Sequence, residues 1–116
     1  MIEGKLYIEK RKFKRVIKSF PIKYKLMPKD NIIESKKNEG KTKDISLGGV
    51  RIEGEIIGNV DDIIRIEFTL KDNDNPIITF AEIKWIKEIN GIPQFGVEFL
   101  TLKNEDKQII EQLINE

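Results

Sequence analysis

The sequence has neither cysteine nor histidine among its 116 residues, and these absences exclude several kinds of chemistry. Without cysteine there is no disulfide, no thiolate metal site and no cysteine nucleophile. Without histidine the chain lacks the commonest general base, a frequent transition-metal ligand and the base of a serine triad. We therefore expect a protein that is not an enzyme and that uses neither a metal nor a cofactor.

Long hydrophobic runs are missing as well. No stretch is apolar over the length that spans a bilayer, and residues 1–10 lack the hydrophobic segment of a signal peptide. The chain has the length of one domain with one modest core. We expect a single cytoplasmic domain that does not insert into a membrane.

The net charge of +1 conceals two parts of opposite sign. Residues 1–43 carry 14 Lys and Arg against 5 Asp and Glu, a net charge of +9, whereas residues 44–116 carry 7 basic against 15 acidic residues, a net charge of −8. Such asymmetry indicates an anionic partner at the N-terminal end. A small anion is favoured over nucleic acid, because the acidic part would repel an extended phosphate backbone.

Alternation of apolar and polar residues predicts a chain built mainly of strands. Residues 16–27 have the two-residue period of a half-buried strand. Asn90-Gly91 favours a type I′ hairpin turn, leading into a last strand over residues 94–100. The polar residues 36–40 have turn character. The other predicted strands are 50–57, 63–70 and 77–89, with Ile32 and Ile33 as a candidate short strand.

The end of the sequence changes to a helical period. Ile109, Ile110, Leu113 and Ile114 recur at the spacing of one helix face. Asn104 is the expected N-cap, and acidic residues follow it in the first turn, where the helix dipole favours negative charge. Strands followed by one amphipathic helix predict an antiparallel sheet or barrel with the helix packed on it.

The first candidate binding segment is Lys10-Arg11-Lys12-Phe13-Lys14-Arg15, a basic run interrupted by one aromatic residue. Taken alone, such a run also fits a solvated charged arm. Arginine, however, has a planar fork that pairs with phosphate or with the O6 and N7 edge of guanine, and its face can stack on a base. Arg11 and Arg15, four residues apart, could therefore grip both a phosphate and a base.

The second candidate segment is Asp44-Ile45-Ser46-Leu47-Gly48-Gly49. It fits a turn or bulge, in which Asp and Ser bond the local backbone and glycine supplies conformational freedom. Alternation also sends Asp44 and Ser46 to one face. There the carboxylate could accept hydrogen bonds from guanine N1–H and N2–H, and the hydroxyl could donate a hydrogen bond to a phosphate. Gly48 and Gly49 would let a ligand approach the backbone closely.

Together the two segments resemble the signature of the PilZ family, an R-x-x-x-R motif followed, after one strand and a loop, by [D/N]-x-S-x-x-G. Arg11 and Arg15 match the first motif, and Asp44, Ser46 and Gly49 match the second.

The resemblance continues over nearly the whole chain from Lys10 onward. Residues 20–26 are similar to the family's first barrel strand, residues 81–86 to its strand ending in tryptophan, and Gly96-Val97-Glu98-Phe99 to its closing strand. One position departs from the pattern: many members have paired arginines where this chain has Lys10 before Arg11. Lysine is a point charge and not a fork, so affinity or the number of bound nucleotides would differ.

The resemblance implies an all-β fold, a six-stranded antiparallel Greek-key barrel of the split PilZ type with a C-terminal α-helix. It also implies a division of the chain into a flexible N-terminal arm over residues 1–15, which carries the arginine motif, and the barrel with its helix over residues 16–116.

The function implied by the resemblance is that of a receptor or adaptor for the bacterial second messenger cyclic di-GMP. Ligand binding would order the arm, with Phe13 covering the site, and the signal would pass to a protein partner in the control of motility or biofilm formation. We expect Trp85 to serve mainly in packing, with stacking on a base as its alternative role. The implied ligand-binding residues are Lys10, Arg11, Lys12, Arg15, Asp44, Ser46, Gly48 and Gly49.

Three other functions stay open at this point. A module of the same fold can bind protein and no nucleotide, although such relatives typically lack the motif residues that are present here. An OB-like barrel would bind single-stranded nucleic acid with aromatic and basic residues on its face, whereas the basic charge here lies before and early in the barrel. A hydrolase would need paired carboxylates or a metal cluster, and no spacing in the sequence indicates one.

Overall fold

A computed structural model describes residues 13–27, 37–70 and 75–115. Within these ranges the chain forms seven strands followed by one helix. No helix within the described ranges is long and apolar enough to cross a membrane. The strands are β1 (Arg15–Ile17), β2 (Pro21–Leu26), β3 (Asn38–Ser46), β4 (Gly49–Glu53), β5 (Ile63–Phe68), β6 (Ile77–Ile89) and β7 (Ile92–Phe99), and the helix is α1 (Asn104–Ile114).

Six of the strands close into an antiparallel barrel. The pairing runs from β3 through β2, β5, β6 and β7 to β4, and β4 pairs back onto β3. The seventh strand, β1, lies beside the C-terminal half of β3. Closure gives each barrel strand a partner on both sides and removes the exposed edges of an open sheet. The predicted six-stranded barrel with a C-terminal helix is confirmed.

The core consists of alternate residues along the strands, together with one face of α1. Tyr24 of β2 and Phe95 of β7 meet edge to face inside the barrel, with ring centroids 5.2 Å apart. Ile110 of α1 is fully buried, and Leu113 and Ile114 pack beside it, as the helical spacing predicts. Burial of this apolar face contributes most of what holds the helix on the barrel.

The strand predicted over residues 16–27 is divided into β1 and β2, which pair with the same side of β3. Pro21 begins β2, and a proline both lacks a backbone N–H and restricts the residue before it. Thr42 of β3 bridges the break. Its hydroxyl donates to the carbonyl oxygen of Lys18 over 2.7 Å and accepts from the N–H of Phe20 over 3.1 Å.

The hairpin predicted at Asn90-Gly91 is confirmed. Asn90 has φ 54° and Gly91 has φ 80°, the left-handed values that a type I′ turn needs. β6 has the predicted bounds, and β7 begins at Ile92, directly after the turn and two residues before the predicted start.

Other strand boundaries also differ from the sequence-based prediction, and the strand predicted over residues 63–70 ends at Phe68. Residues 38–40, predicted as part of a turn, begin β3, because β2 supplies them with backbone partners such as Tyr24 opposite Asn38. The strand predicted over residues 50–57 ends at Glu53, and beyond it the Tyr24 hydroxyl donates to the carbonyl oxygen of Glu55 over 2.7 Å. The candidate strand at Ile32-Ile33 lies outside the described residues.

The N-cap of α1 is Lys103 and not Asn104, so that prediction is wrong. Lys103 has extended dihedrals, φ −67° and ψ 151°, and its side chain makes no capping hydrogen bond. Its carbonyl oxygen accepts the first intrahelical bond, from the N–H of Lys107 at 3.0 Å. Glu105 and Asp106 do lie in the first turn as expected, where their charges interact favourably with the helix dipole.

Part of the charge asymmetry is neutralised within the fold. Lys37 lies 3.7 Å from Glu67, and both Lys41 and Lys43 lie within 3.6 Å of Glu53. These are partly exposed pairs, each worth at most about 1 kcal/mol. They mean that the basic excess of the first 43 residues is not all available to an external anion.

Candidate functional site

A cleft of about 190 Å³ opens on the outer surface of the barrel, beside β1 and the β3–β4 turn. Arg15, Ser46, Gly48 and Gly49, all predicted from the sequence, line it. Asp44 is in contact with Arg15 at the same place. The structure therefore brings together the described members of both sequence motifs.

Strand alternation explains why Asp44 and Ser46 face this cleft. Ile45 between them is fully buried in the core, so its neighbours point to the outer side of the barrel. Register then sets their partners: Arg15 of β1 lies opposite Ser46, and Arg51 of β4 lies opposite Asp44. Two arginines thus converge on one carboxylate from the two strands that flank β3.

The Asp44 carboxylate is the electrostatic centre of the site. The residue is only 5% exposed, and the guanidinium groups of Arg15 and Arg51 contact different oxygens of its carboxylate. Arg15 Nη1 lies 3.3 Å from Oδ1, and Arg51 Nη2 lies 2.9 Å from Oδ2. A buried carboxylate is costly without a cation, and here two cations offset its desolvation.

Ser46 organises the turn that follows β3. Its Oγ accepts hydrogen bonds from the backbone N–H groups of Gly48 and Gly49, at 3.1 and 3.3 Å. This is the local turn structure that the sequence predicts for the segment. Both bonds use the oxygen as acceptor, so the hydroxyl hydrogen is not committed by them and can be donated to a ligand oxygen.

The two glycines of this turn have different neighbours. A Cβ at Gly49 would collide with the carbonyl oxygen of Val97 on β7, so Gly49 is needed for the close approach of β4 to β7. A Cβ at Gly48 would lie 2.7 Å from the ring of Phe13. Phe13, 47% exposed, therefore already rests on the turn at the mouth of the cleft.

Trp85 forms part of the opposite wall of the cleft. It is half-buried, and its indole lies so close over Gly96 of β7 that any side chain there would collide with it. Lys87 Nζ lies 5.4 Å from the ring centroid, within the range of a cation–π interaction. The ring thus packs, as expected from the sequence, and also lines the cleft.

Arg51, Lys84 and Glu98 also line the cleft, and the sequence-based prediction missed all three. A signal for Arg51 existed, because it stands two residues after Gly49 and so on the same face of β4. Lys84 Nζ lies 2.7 Å from Glu82, and this hydrogen bond and the charge of Glu82 raise the pKa of Lys84.

Three of the predicted ligand residues, Lys10, Arg11 and Lys12, lie outside the described residues, and their approach to the cleft stays a prediction. Across residues 13–27, 37–70 and 75–115 there is no group of three or more acidic side chains placed to hold a metal ion.

The PilZ domain family model matches residues 9–116, almost the entire chain. The chain belongs to the PilZ domain family. A search of curated proteins finds no match to this PilZ domain.

Solved structures agree with the fold. Inhibitor of motility (MotI/DgrA) from Bacillus subtilis has a TM-score of 0.75 and 15% identity, with 90% of this chain and 49% of that one covered. This PilZ domain therefore spans about half the length of that protein. The PilZ domain of YcgR from Escherichia coli, solved with c-di-GMP, has a TM-score of 0.67 and 18% identity, with 90% and 88% covered. The PilZ domain of CeSA from a cellulose-synthesizing bacterium has a TM-score of 0.58 and 18% identity, with 87% and 94% covered.

Proposed function

We propose that this PilZ domain is a receptor for cyclic di-GMP, which it recognises without breaking a bond and whose presence it relays to a protein partner. The observation that carries the proposal is the convergence of Arg15, Asp44 and Ser46 on one cleft, with Arg15 Nη1 3.3 Å from Asp44. Support also comes from YcgR, whose PilZ domain was solved with c-di-GMP, and from MotI/DgrA, an inhibitor of motility.

The cleft has the groups that a guanine nucleotide needs. A guanidinium such as that of Arg15 pairs with guanine O6 and N7 or with phosphate, and the Asp44 carboxylate accepts from guanine N1–H and N2–H. The Ser46 hydroxyl donates to a phosphate oxygen, and the half-buried Trp85 offers a stacking surface for a base. Arg11 supplies a second fork. The proposed binding set is Lys10, Arg11, Lys12, Arg15, Asp44, Ser46, Gly48 and Gly49.

Ligand binding also orders the N-terminal arm in this proposal. Phe13 and Arg15 already contact the barrel, so the change concerns the residues before them. The ligand phosphates neutralise the basic run and hold it over the cleft. Hydrogen exchange of residues 5–15 with and without cyclic di-GMP tests this step: protection should rise with ligand, and equal protection in both states would contradict it.

The decisive experiment for the receptor function is isothermal titration of the whole chain with cyclic di-GMP, with GTP and cyclic di-AMP as controls. Arg15→Ala should remove measurable affinity and leave the circular dichroism spectrum unchanged, because the Arg15 side chain is 59% exposed and lies outside the core. Lys14→Ala is the matched control, since it removes the same charge from the adjacent exposed position. Unaltered binding by the Arg15 variant would show that the site is wrong.

The relayed signal passes to a protein partner in the cytoplasm, in the control of motility, adhesion or exopolysaccharide production. A titration with no heat of binding, by a folded wild-type chain, would favour a protein-interaction module that binds no nucleotide.

A further inference from the structure

The two oxygens of the Asp44 carboxylate have different surroundings. Oδ2 is held by Arg51 at 2.9 Å. Oδ1 is in ion-pair contact with Arg15 at 3.3 Å, yet it is inaccessible to solvent and has no hydrogen-bond partner among the described residues. A buried acceptor without a hydrogen bond is uncommon in a native structure and marks a position that a ligand can satisfy.

The two arginines also differ in how firmly they are placed. The side chain of Arg15 is 59% exposed, whereas that of Arg51 is 32% exposed, and Arg51 Nε is buried. Arg15 stands on β1, which pairs with β3 over three residues, and Arg51 stands on β4, which pairs with strands on both sides. Arg15 can therefore leave the carboxylate at a smaller cost than Arg51.

From this asymmetry we infer that Arg51 is a specificity-determining residue: it holds the Asp44 carboxylate oriented for the guanine edge while Arg15 moves from the carboxylate to the ligand. The inference rests on the proposed cyclic di-GMP function. Movement of Arg15 uncovers Oδ1 and gives it a hydrogen-bond donor, guanine N1–H or N2–H. Arg51 remains as the cation without which Asp44 would be a buried, unpaired charge.

The consequence is a dependence of base selectivity on Arg51. Cyclic di-IMP contains hypoxanthine in place of guanine and therefore lacks the N2 amino group. It differs from cyclic di-GMP only in this hydrogen-bond donor, which a carboxylate such as Asp44 recognises. One hydrogen bond to a charged acceptor corresponds to a preference of about tenfold or more for guanine. That preference exists only while Arg51 keeps the carboxylate in position.

The test measures the affinities of the whole chain for both nucleotides by titration calorimetry. Wild type should prefer cyclic di-GMP by about tenfold or more. Arg51→Met, which keeps the length of the side chain and removes its charge, should bring the ratio of affinities toward one. Arg51→Lys should restore part of it, because the charge returns without the planar fork. Thermal melts identify any variant that fails to fold. If the Met variant does not fold, the ratio of affinities is compared between the wild type and the Lys variant.

A double-mutant cycle separates this role from a structural one. Asp44→Ala, which removes the acceptor, should abolish the selectivity by itself, and Arg51→Met in that background should reduce it no further, because Arg51 acts through Asp44. A merely structural role would lower both affinities in proportion and leave their ratio unchanged. An unchanged ratio of affinities in the Arg51 variant, or additive effects of the two substitutions on that ratio, would overturn the inference. Failure of the wild type to bind either nucleotide would instead overturn the proposed function.

Discussion

The hydroxyl of Thr42 donates a 2.7 Å hydrogen bond to the carbonyl oxygen of Lys18 and so joins β3 to the break between β1 and β2. The same oxygen accepts the N–H of Phe20 at 3.1 Å. Thr42 is fully buried, and the break that it bridges sets the direction of β1 and of the arginine that β1 carries to the cleft.

Replacement of Thr42 by Val should therefore weaken both the fold and the site. The isosteric change leaves the Lys18 carbonyl and the Phe20 N–H without this partner, and we expect the free energy of unfolding to fall by about 1–3 kcal/mol. Urea denaturation measures this loss, and titration with cyclic di-GMP should show a lower affinity. Thr42→Ser keeps the hydroxyl and is the control. Equal losses in the Val and Ser variants would mean that the bridge contributes nothing.

Alanine at the two neighbouring glycines should have unequal effects. At Gly49 the new methyl group meets the backbone of Val97, which can move only if β4 and β7 separate, and we expect a loss of about 1–3 kcal/mol. At Gly48 it meets the ring of Phe13, which is 47% exposed and free to turn outward, so the loss should be below about 1 kcal/mol. Urea denaturation compares the two variants. A larger loss at Gly48 than at Gly49 would contradict this account.

Stability at alkaline pH should depend on Tyr24. Burial, and to a smaller extent the charge of Glu55, raises the pKa of Tyr24 from 10.0 to about 12. The folded state therefore holds the phenol proton more tightly than the unfolded state does. The stability that this contributes is fully present below pH 10 and is lost as the pH rises from 10 to about 12.

Urea denaturation across this range, with Tyr24→Phe as the comparison, measures the effect. The Phe variant should lose about 1 kcal/mol at neutral pH, because the hydrogen bond to the Glu55 carbonyl is gone, and should lack the part of the alkaline decline due to Tyr24. Parallel pH profiles for the two proteins would show that Tyr24 does not titrate as described.

Binding of cyclic di-GMP should weaken as ionic strength rises, because the dianionic ligand meets a basic N-terminal region whose charge is only partly neutralised by ion pairs within the fold. Calorimetry at low and high salt checks this. Lys12→Ala should reduce the dependence on salt, whereas Lys41→Ala should change it little, since Lys41 lies 3.6 Å from Glu53. An affinity that is the same at all salt concentrations would exclude electrostatic attraction by the arm.

Local signals in the sequence were enough to predict much of the sheet. The turn at Asn90-Gly91 and the bounds of β6 follow from turn chemistry and from two-residue alternation, which are properties of a few neighbouring residues. The helix followed from the spacing of Ile110, Leu113 and their neighbours for the same reason. The outward direction of Asp44 and Ser46 was also a local property, since Ile45 between them had to face the core.

Pairing between distant segments explains what could not be predicted. Residues 38–40 are polar and turn-like by themselves, and they extend as a strand because β2 provides partners. Arg51 lies in the strand predicted over residues 50–57, and it joins the site because β4 pairs with β3 and sets it opposite Asp44, a long-range pairing that the sequence did not reveal. The final placement of Arg11 stays a prediction.

Closure of the barrel has a consequence for how the cleft can adapt. The strands beneath it, β3, β4, β6 and β7, are each hydrogen-bonded along both flanks, so none can shift without breaking a ladder on two sides. Ligands of different width must therefore be accommodated by displacement of β1. A new selectivity in this cleft would arise by exchange of outward-facing side chains on an unchanged backbone.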